Sequence, residues 1–296
     1  MLKAGVIGAG AFGGNHARKY ASLDGVELIG VFDPQSAPAQ ALADSLGVKA
    51  FASEAELLGA VDVVTVASPA IHHGNSVIAA LTAGRHVYVE KPLAITLGDA
   101  DRILKLAAEK SLVVAVGHQE RVVSQAMGLF DMPEQPLRLK AVRRGTPSTR
   151  NLDVSATLDL MVHDIDLALA LTTGEPLTVE GEGDDDAASA EVTFDYGFIA
   201  SFAVSRVAEA RDRRMRIVYP SGEVAIDFLA RTFSNTTPFT LNADFSETPA
   251  GRDPLGVSVK AFLETVEGKS PRPAVTATEA TRALDLALAV EQALGS

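Results

Sequence analysis

The sequence predicts an α/β protein: a doubly wound parallel sheet over residues 1–119, followed by an α+β domain with a mainly antiparallel sheet over residues 120–296. Three observations carry this. The first 116 residues alternate short apolar runs with amphipathic segments, the pattern of parallel βαβ units. A glycine-rich turn, GAGAFG, follows the first apolar run directly. Beyond about residue 120 the pattern changes to longer alternating runs separated by DYG and PSG, which are hairpin signals.

Taken in order, KAGVIG, VELIGVF, VDVVTVA, RHVYVE and SLVVAV are the strands of the first sheet. The stretches between them suit helices. ITLGDADRILKLAAEK, for example, sets Ile103, Leu104, Leu106 and Ala107 on one face, with acid in its first turn and lysine at its end. In the second half LRLKAVRR is a strand candidate, and a mostly apolar helix is expected over 156–172. AEVTFDYGFIASFAVSRV, RRMRIVYPSGEVAIDFL and PFTLNADF read as further strands, and two helices close the chain at VSVKAFLETVEG and ATEATRALDLALAVEQAL. The acidic EGEGDDDAAS reads as a solvated loop; its carboxylates lack calcium-loop spacing, and no metal is expected.

Composition narrows the function. With a net charge of −12, the chain does not suit duplex nucleic acid or an anionic membrane, since neutralising phosphates needs clustered Lys and Arg. No apolar stretch reaches the roughly 18 residues of a membrane span, and MLKAGVIGAG lacks a basic leader, so a cytoplasmic protein is expected. There is no cysteine, which excludes disulfides and thiolate sites.

Gly8, Gly10 and Gly13, with Ala11 and Phe12 between them, form G-x-G-x-x-G between a strand and a helix, the position at which a Rossmann fold binds a dinucleotide pyrophosphate. Asp33 ends the second strand, where its carboxylate can accept from both ribose hydroxyls and would repel a 2′-phosphate. No arginine follows in DPQSAP, so NAD is preferred over NADP. Ala67, Ser68 and Pro69, with His72 just beyond, end another strand where open α/β sheets bind ligands. In HVYVEKPLA, Glu90 and Lys91 precede a proline that biases Lys91 towards an extended backbone. The apolar helix carries DLMVHDID: at about 100° per residue Asp159, His163 and Asp166 share an arc of roughly 60°, while Asp164 points away. A histidine beside carboxylates can accept a proton at neutral pH, which suits oxidation of an alcohol; the alternative is a core histidine satisfied by its neighbours.

Together the glycine fingerprint, SP at 68–69, AGRHVYVEKPLA, VGHQER and DLMVHDID resemble the Gfo/Idh/MocA family of sugar-type oxidoreductases. The resemblance implies that Lys91, Asp159 and His163 face the nicotinamide, with His163 removing the hydroxyl proton, Lys91 binding the reacting oxygen and Asp159 orienting substrate or base. GHQER and RRGTPSTRNLDVSATLDLMVHDID look most like the branch that includes UDP-N-acetylglucosamine 3-dehydrogenases, which implies a nucleotide-sugar substrate met by His118, Arg121, Arg144 and Arg150. DVSATLD lacks the glycine cluster common before the aspartate in this family, and Val122 replaces a common aromatic. Arg143, Arg144, Arg150, Arg206, Arg211, Arg213 and Arg214 crowd segments flanking the helix and suit a diphosphate, unless they are a solvated sheet face. The alternatives are a dehydrogenase of a free polyol such as an inositol and a non-catalytic NAD-binding regulator. An apolar sheet face in FIASFAV suggests a homodimer or homotetramer.

Overall fold

The structure is a computed structural model describing residues 1–148 and 152–295. It divides into two compact units, Met1–Gly117 with Leu255–Thr281, and His118–Pro254 with Arg282–Ser296. The expected boundary at 119/120 therefore lacks one feature: a later segment returns to the first unit.

In the first unit, β1 (Leu2–Ile7), α1 (Ala11–Ser22), β2 (Val26–Phe32), α2 (Ser36–Leu46), β3 (Lys49–Ala50), α3 (Glu54–Ala60) and β4 (Val63–Val66) are followed by α4 (His73–Thr82), β5 (His86–Val89), α5 (Leu97–Lys110) and β6 (Val114–Val116). The strands form a parallel sheet in the order β3-β2-β1-β4-β5-β6. This is the dinucleotide-binding order, with its crevice at the carboxyl ends of β1 and β4. Helices flank a parallel sheet, so its central strands are buried throughout: all four residues of β4 have no exposed surface. Thr96 caps α5 by accepting from the Asp99 amide at 3.2 Å, and Ser111 ends it in the left-handed region.

The second unit contains α6 (Gln119–Met127), β7 (Arg138–Arg144), a π-helical turn Thr157–Met161 leading into α7 (Val162–Leu171), β8 (Pro176–Gly183), β9 (Ala187–Phe194), β10 (Ile199–Ser205), β11 (Asp212–Tyr219), β12 (Gly222–Asp227), β13 (Thr232–Asn235) and α8 (Pro249–Arg252). The sheet order is β13-β12-β11-β7-β10-β9-β8, antiparallel except for the parallel pair β7 and β10. Two strand expectations change. EGEG belongs to β8, an edge strand whose solvated face tolerates Glu180 and Glu182, and only Asp184–Asp186 turn the hairpin. PFTLNADF is not a strand; the last one is TFSN.

Burial alternates along this sheet. Ala200, Phe202 and Val204 are buried, whereas Ile199, Ser201, Ala203 and Ser205 face the other, open side. Phe198, Phe202 and Val204 of FIASFAV thus pack inward, while Ile199 stands on the open side beside small and charged groups, among them Lys140, Glu191, Arg214 and Arg216.

Finally α9 (Pro254–Val266) and α10 (Ala277–Leu294) close the chain. Val259, Phe262 and Leu263 of α9 enter the core of the first unit with Tyr88 and Ala115, and the Tyr88 hydroxyl donates to Ser258 at 3.0 Å. That burial is why residues 255–281 belong with the first unit. Thr276 and Glu279 form a reciprocal capping box at the start of α10.

Candidate active site

The glycine-rich turn is built as the chemistry of a pyrophosphate requires. Gly8 has φ of 98°, and a Cβ there would lie 2.6 Å from the Ala67 carbonyl oxygen. A Cβ on Gly13 would sit 1.7 Å from the Gly8 carbonyl, so only glycine lets α1 approach the turn. A Cβ on Gly10 would meet nothing within 4 Å, and no side chain caps the amino end of α1 at Gly10. This open space before a helix amino end is the cradle that a phosphate fills. Asp33 accepts from the Ala9 amide at 2.8 Å with one oxygen and from the Gln35 amide at 2.9 Å with the other. Its carboxylate is thereby fixed at the end of β2 while each oxygen keeps a lone pair for a ribose hydroxyl. The residues present fit NAD: Gly8 to Gly13 with Ala11 and Phe12 at the phosphates, and Asp33 at the ribose.

Beyond β4, Ala67 is tied to Ile7 (N to O, 2.8 Å), and Ser68 and Pro69 lead into a short turn that contains exposed His72. The histidine that the fold uses here is His73, which the sequence reading passed over. It is 2% exposed; its Nδ1 lies 2.7 Å from the Pro92 carbonyl and its Nε2 2.8 Å from the Ser68 carbonyl. Burial, outweighing these two contacts, pushes its pKa down.

Glu90, also buried, meets His16 Nε2 at 2.7 Å. Burial alone would raise its pKa, but the hydrogen bond and charge of His16, then the charges of Lys91 and His73, bring it below the usual carboxylate value. Lys91 follows, half-buried, with a cis peptide to Pro92.

In the second unit, Asp159 lies within the π-helical turn, and the Ser155 carbonyl accepts from its amide at 2.9 Å. Asp159 and His163 are half-buried. His163 and Asp166 both turn towards α6, where His163 meets Glu120 and Asp166 meets Arg121. Asp166 is 1% exposed and bound to Arg121 through both oxygens, and Asp164 is 3% exposed and bound to Arg143 at 2.8 and 3.0 Å. Asp164 therefore points away as expected, but into a buried ion pair rather than plain core.

Glu120 is the candidate site residue that sequence reasoning missed. Its Oε2 lies 2.8 Å from His163 Nδ1, and its Oε1 accepts from Arg143 at 2.9 Å. Burial works to raise its pKa, yet the charges of His163 and Arg143 hold it well below the ordinary range, so it is anionic. A carboxylate at Nδ1 favours the tautomer that leaves Nε2 with its lone pair, the arrangement of a general base. A signal was present: GHQER packs three titratable side chains at the junction of a strand end and a helix, where ligands bind in such folds. His118 is 2% exposed, its ring centre 6.3 Å from that of His163, and burial pushes its pKa down to about 4 against the charge of Asp166.

The arginines divide. Arg143 is buried between Glu120 and Asp164, Arg121 is committed to Asp166, and Arg206 binds Asp186 and the Val154 carbonyl. Arg144 alternates with Arg143 and so lies on the open side of the sheet, opposite the face that carries Arg143 and α7. There, with Arg211 and Arg214, it lines a shallow hollow of about 1150 Å³ that also holds Glu182, Glu209 and Asp227. Arg213 is the register partner of Arg143 and shares its face, half-buried and within electrostatic reach of Glu120 and Asp164, so the expected guanidinium cluster beside the helix is kept by Arg143 and Arg213, whereas Arg144, Arg211 and Arg214 line the hollow. Arg150 lies outside the described residues. Among the described residues no cluster of metal-binding side chains occurs, and no helix is long and apolar enough to cross a membrane.

The fold and its crevice define a dinucleotide-binding protein. Residues 2–118 match the oxidoreductase family with an NAD-binding Rossmann fold, and residues 129–225 match the GFO/IDH/MocA C-terminal domain. The chain is 34% identical over 284 residues to a UDP-N-acetylglucosamine 3-dehydrogenase of Acidithiobacillus ferrooxidans, covering 91% of this chain and 90% of that one. A solved structure of a UDP-N-acetylglucosamine 3-dehydrogenase from the same organism superposes with a TM-score of 0.91 at 34% identity, covering 99% and 97% of the two chains. A scyllo-inositol 2-dehydrogenase (NAD(+)) of Bacillus subtilis is 26% identical over 98% of this chain and 93% of that one. The chain belongs to the GFO/IDH/MocA family; it is an oxidoreductase, and NAD is its cofactor.

Proposed function

We propose that this enzyme oxidises the 3-hydroxyl of a nucleotide sugar of the UDP-N-acetylglucosamine type to a ketone. The single observation that carries the reading is the full-length likeness to the Acidithiobacillus ferrooxidans enzyme of that name, at 34% identity and a TM-score of 0.91. The geometry supports the chemistry: a half-buried imidazole, His163, has its Nδ1 facing the anionic Glu120.

Bound NAD supplies the acceptor for the hydride that leaves the carbinol carbon. His163 takes the hydroxyl proton at Nε2, and Glu120 stabilises the imidazolium that forms. Arg143 holds Glu120 in place. The Lys91 ammonium donates to the reacting oxygen and steadies the negative charge that grows on it as the proton departs. Asp159 and His118 orient the sugar ring, His118 as a neutral hydrogen-bonding group. The diphosphate has no support from Arg121 or Arg143, whose guanidinium groups are occupied by carboxylates.

That occupancy is what favours a second reading, a dehydrogenase of a free polyol of the inositol kind, in which no phosphate is bound. Incubation with NAD and a panel of UDP-sugars and free polyols, followed by the absorbance of reduced nicotinamide, separates the two. Turnover of UDP-N-acetylglucosamine at a kcat/KM at least ~100-fold above any free polyol supports the first; the reverse order supports the second. We also propose that the second unit carries substrate binding and self-association as a dimer or tetramer through the open side of its sheet, and that the enzyme works in the cytoplasm, where its cofactor is supplied.

A further inference from the structure

Two buried histidines of the first unit have no part in the reaction as described, yet they flank Lys91. His16 has no exposed surface; it stands on α1, three residues after Gly13, and meets the side chain of Glu90, the residue before Lys91. It is backed by Thr65, whose hydroxyl is 3.5 Å from His16 Nδ1 and 2.8 Å from the Tyr20 hydroxyl, and by the Tyr88 ring with centres 5.0 Å apart. Gly117 closes the far side of the Glu90 carboxylate: a Cβ there would lie 2.8 Å from Oε2. His73, at the start of α4, lies between the carbonyl of Pro92, the residue after Lys91, and that of Ser68. Carbonyl oxygens only accept, so the neutral ring ties one of them with its single N–H and the protonated ring ties both.

From this placement we infer that His16 and His73 are positioning residues for Lys91, gripping Glu90 and Pro92 on either side so that the amine leaves β5 in one direction. Polar groups are costly to bury unless they are paired or used; the hydrogen-bonded pair His16–Glu90 replaces core that leucine and valine could fill, and both histidines are spent on the residues either side of Lys91. Each histidine is also tied to a segment expected at the dinucleotide: His16 stands on α1, behind the phosphate cradle, and His73 contacts the Ser68 carbonyl in the loop that follows β4. The grip therefore registers Lys91 against the cofactor loops. Its catalytic consequence rests on the reading of Lys91 as the donor to the reacting oxygen.

The test uses the full-length enzyme with His16→Phe and His73→Phe, which keep a ring and remove the nitrogens, and His16→Asn and His73→Asn, which keep a polar group. Lysines are reductively methylated with carbon-13, and the Lys91 signal, identified by its loss in Lys91→Arg, is followed without cofactor. In parallel kcat and KM for NAD are measured in wild-type and Lys91→Ala backgrounds. The expected result is a shifted or broadened Lys91 signal in each Phe variant, a kcat lower by ~10-fold or more with KM for NAD within ~3-fold, and less than ~2-fold further loss when either is combined with Lys91→Ala. An unchanged Lys91 signal in both Phe variants, or losses that multiply in the Lys91→Ala background, overturns the inference. So does failure of both the Phe and the Asn variants to fold, since that makes the histidines structural alone. A shifted signal together with full activity of Lys91→Ala upholds the grip and removes the role of Lys91 in the reaction.

Discussion

In the proposed reaction Glu120 is the residue on which the acid–base chemistry turns. It presents one oxygen to His163 and the other to Arg143, so its charge is both held and directed. Glu120→Gln keeps an oxygen for one neighbour but removes the charge. The expected outcome is a kcat lower by ~10- to 100-fold, with the acid limb of the kcat/KM profile moved to lower pH, because an imidazole without an adjacent anion gives up its proton more easily. A pH–rate series on the variant checks both. His118 makes a separate, stability-level prediction. Its pKa is lowered from 6.5 to about 4 by burial, so between those values the unfolded chain binds the proton that the folded one refuses. Stability therefore falls as pH falls through that window, by roughly 3 kcal/mol in full, and His118→Phe flattens the slope. Glu120 does not confuse this measurement: its pKa is depressed from 4.5, so its contribution is present above that value and is lost only at lower pH. Urea midpoints from pH 7 to 4 on both proteins give the comparison; equal slopes would show that His118 is not the group responsible.

At the level of elements, the turn between β1 and α1 makes the sharpest contrast. Gly10→Ala meets no protein atom, so the variant keeps its melting temperature while its NAD affinity falls by ~10-fold or more; Gly13→Ala collides with the Gly8 backbone and loses stability as well as binding. Titration of NAD with each variant and a thermal melt distinguish the two. These glycines, Asp33 and the strand ends were legible in the sequence because each answers a local demand of backbone geometry or charge. The π-helical turn was not legible. It inserts a wider turn ahead of His163, so the angle between Asp159 and His163 counted on an ideal wheel does not hold, whereas His163 and Asp166 keep regular helical spacing. Nor was β8, since no residue of this edge strand is buried on either face, which leaves no apolar alternation to announce it. The signal for the buried histidines was present but faint: Gly13, His16, Ala17 and Tyr20 share the buried face of α1, and a histidine on such a face needs a partner that only the tertiary structure supplies.

At the level of the molecule, the α/β and α+β halves followed from hydrophobic period alone, whereas the return of α9 to the first unit depended on what Phe262 and Val259 pack against, which no local pattern states. The open side of the second sheet keeps Ile199 and Ala203 of FIASFAV among charged groups: Glu180, Glu182 and Glu191 stand towards β8, and Lys140, Arg144, Arg214 and Arg216 towards β11, where Asp212 pairs with Arg214 and Glu223 with Arg216. Two copies stacked about a two-fold axis can set one sign against the other. Light scattering should give a dimer or tetramer whose dissociation increases with salt; a monomer at micromolar concentration in low salt counts against it. The most direct test of the whole account is NAD reduction by UDP-N-acetylglucosamine with the wild-type enzyme and with His163→Ala. Reduced nicotinamide is expected from the wild type, with a rate lower by ~1000-fold or more in a variant that still binds NAD; equal rates in the two proteins would contradict the role of His163 as base.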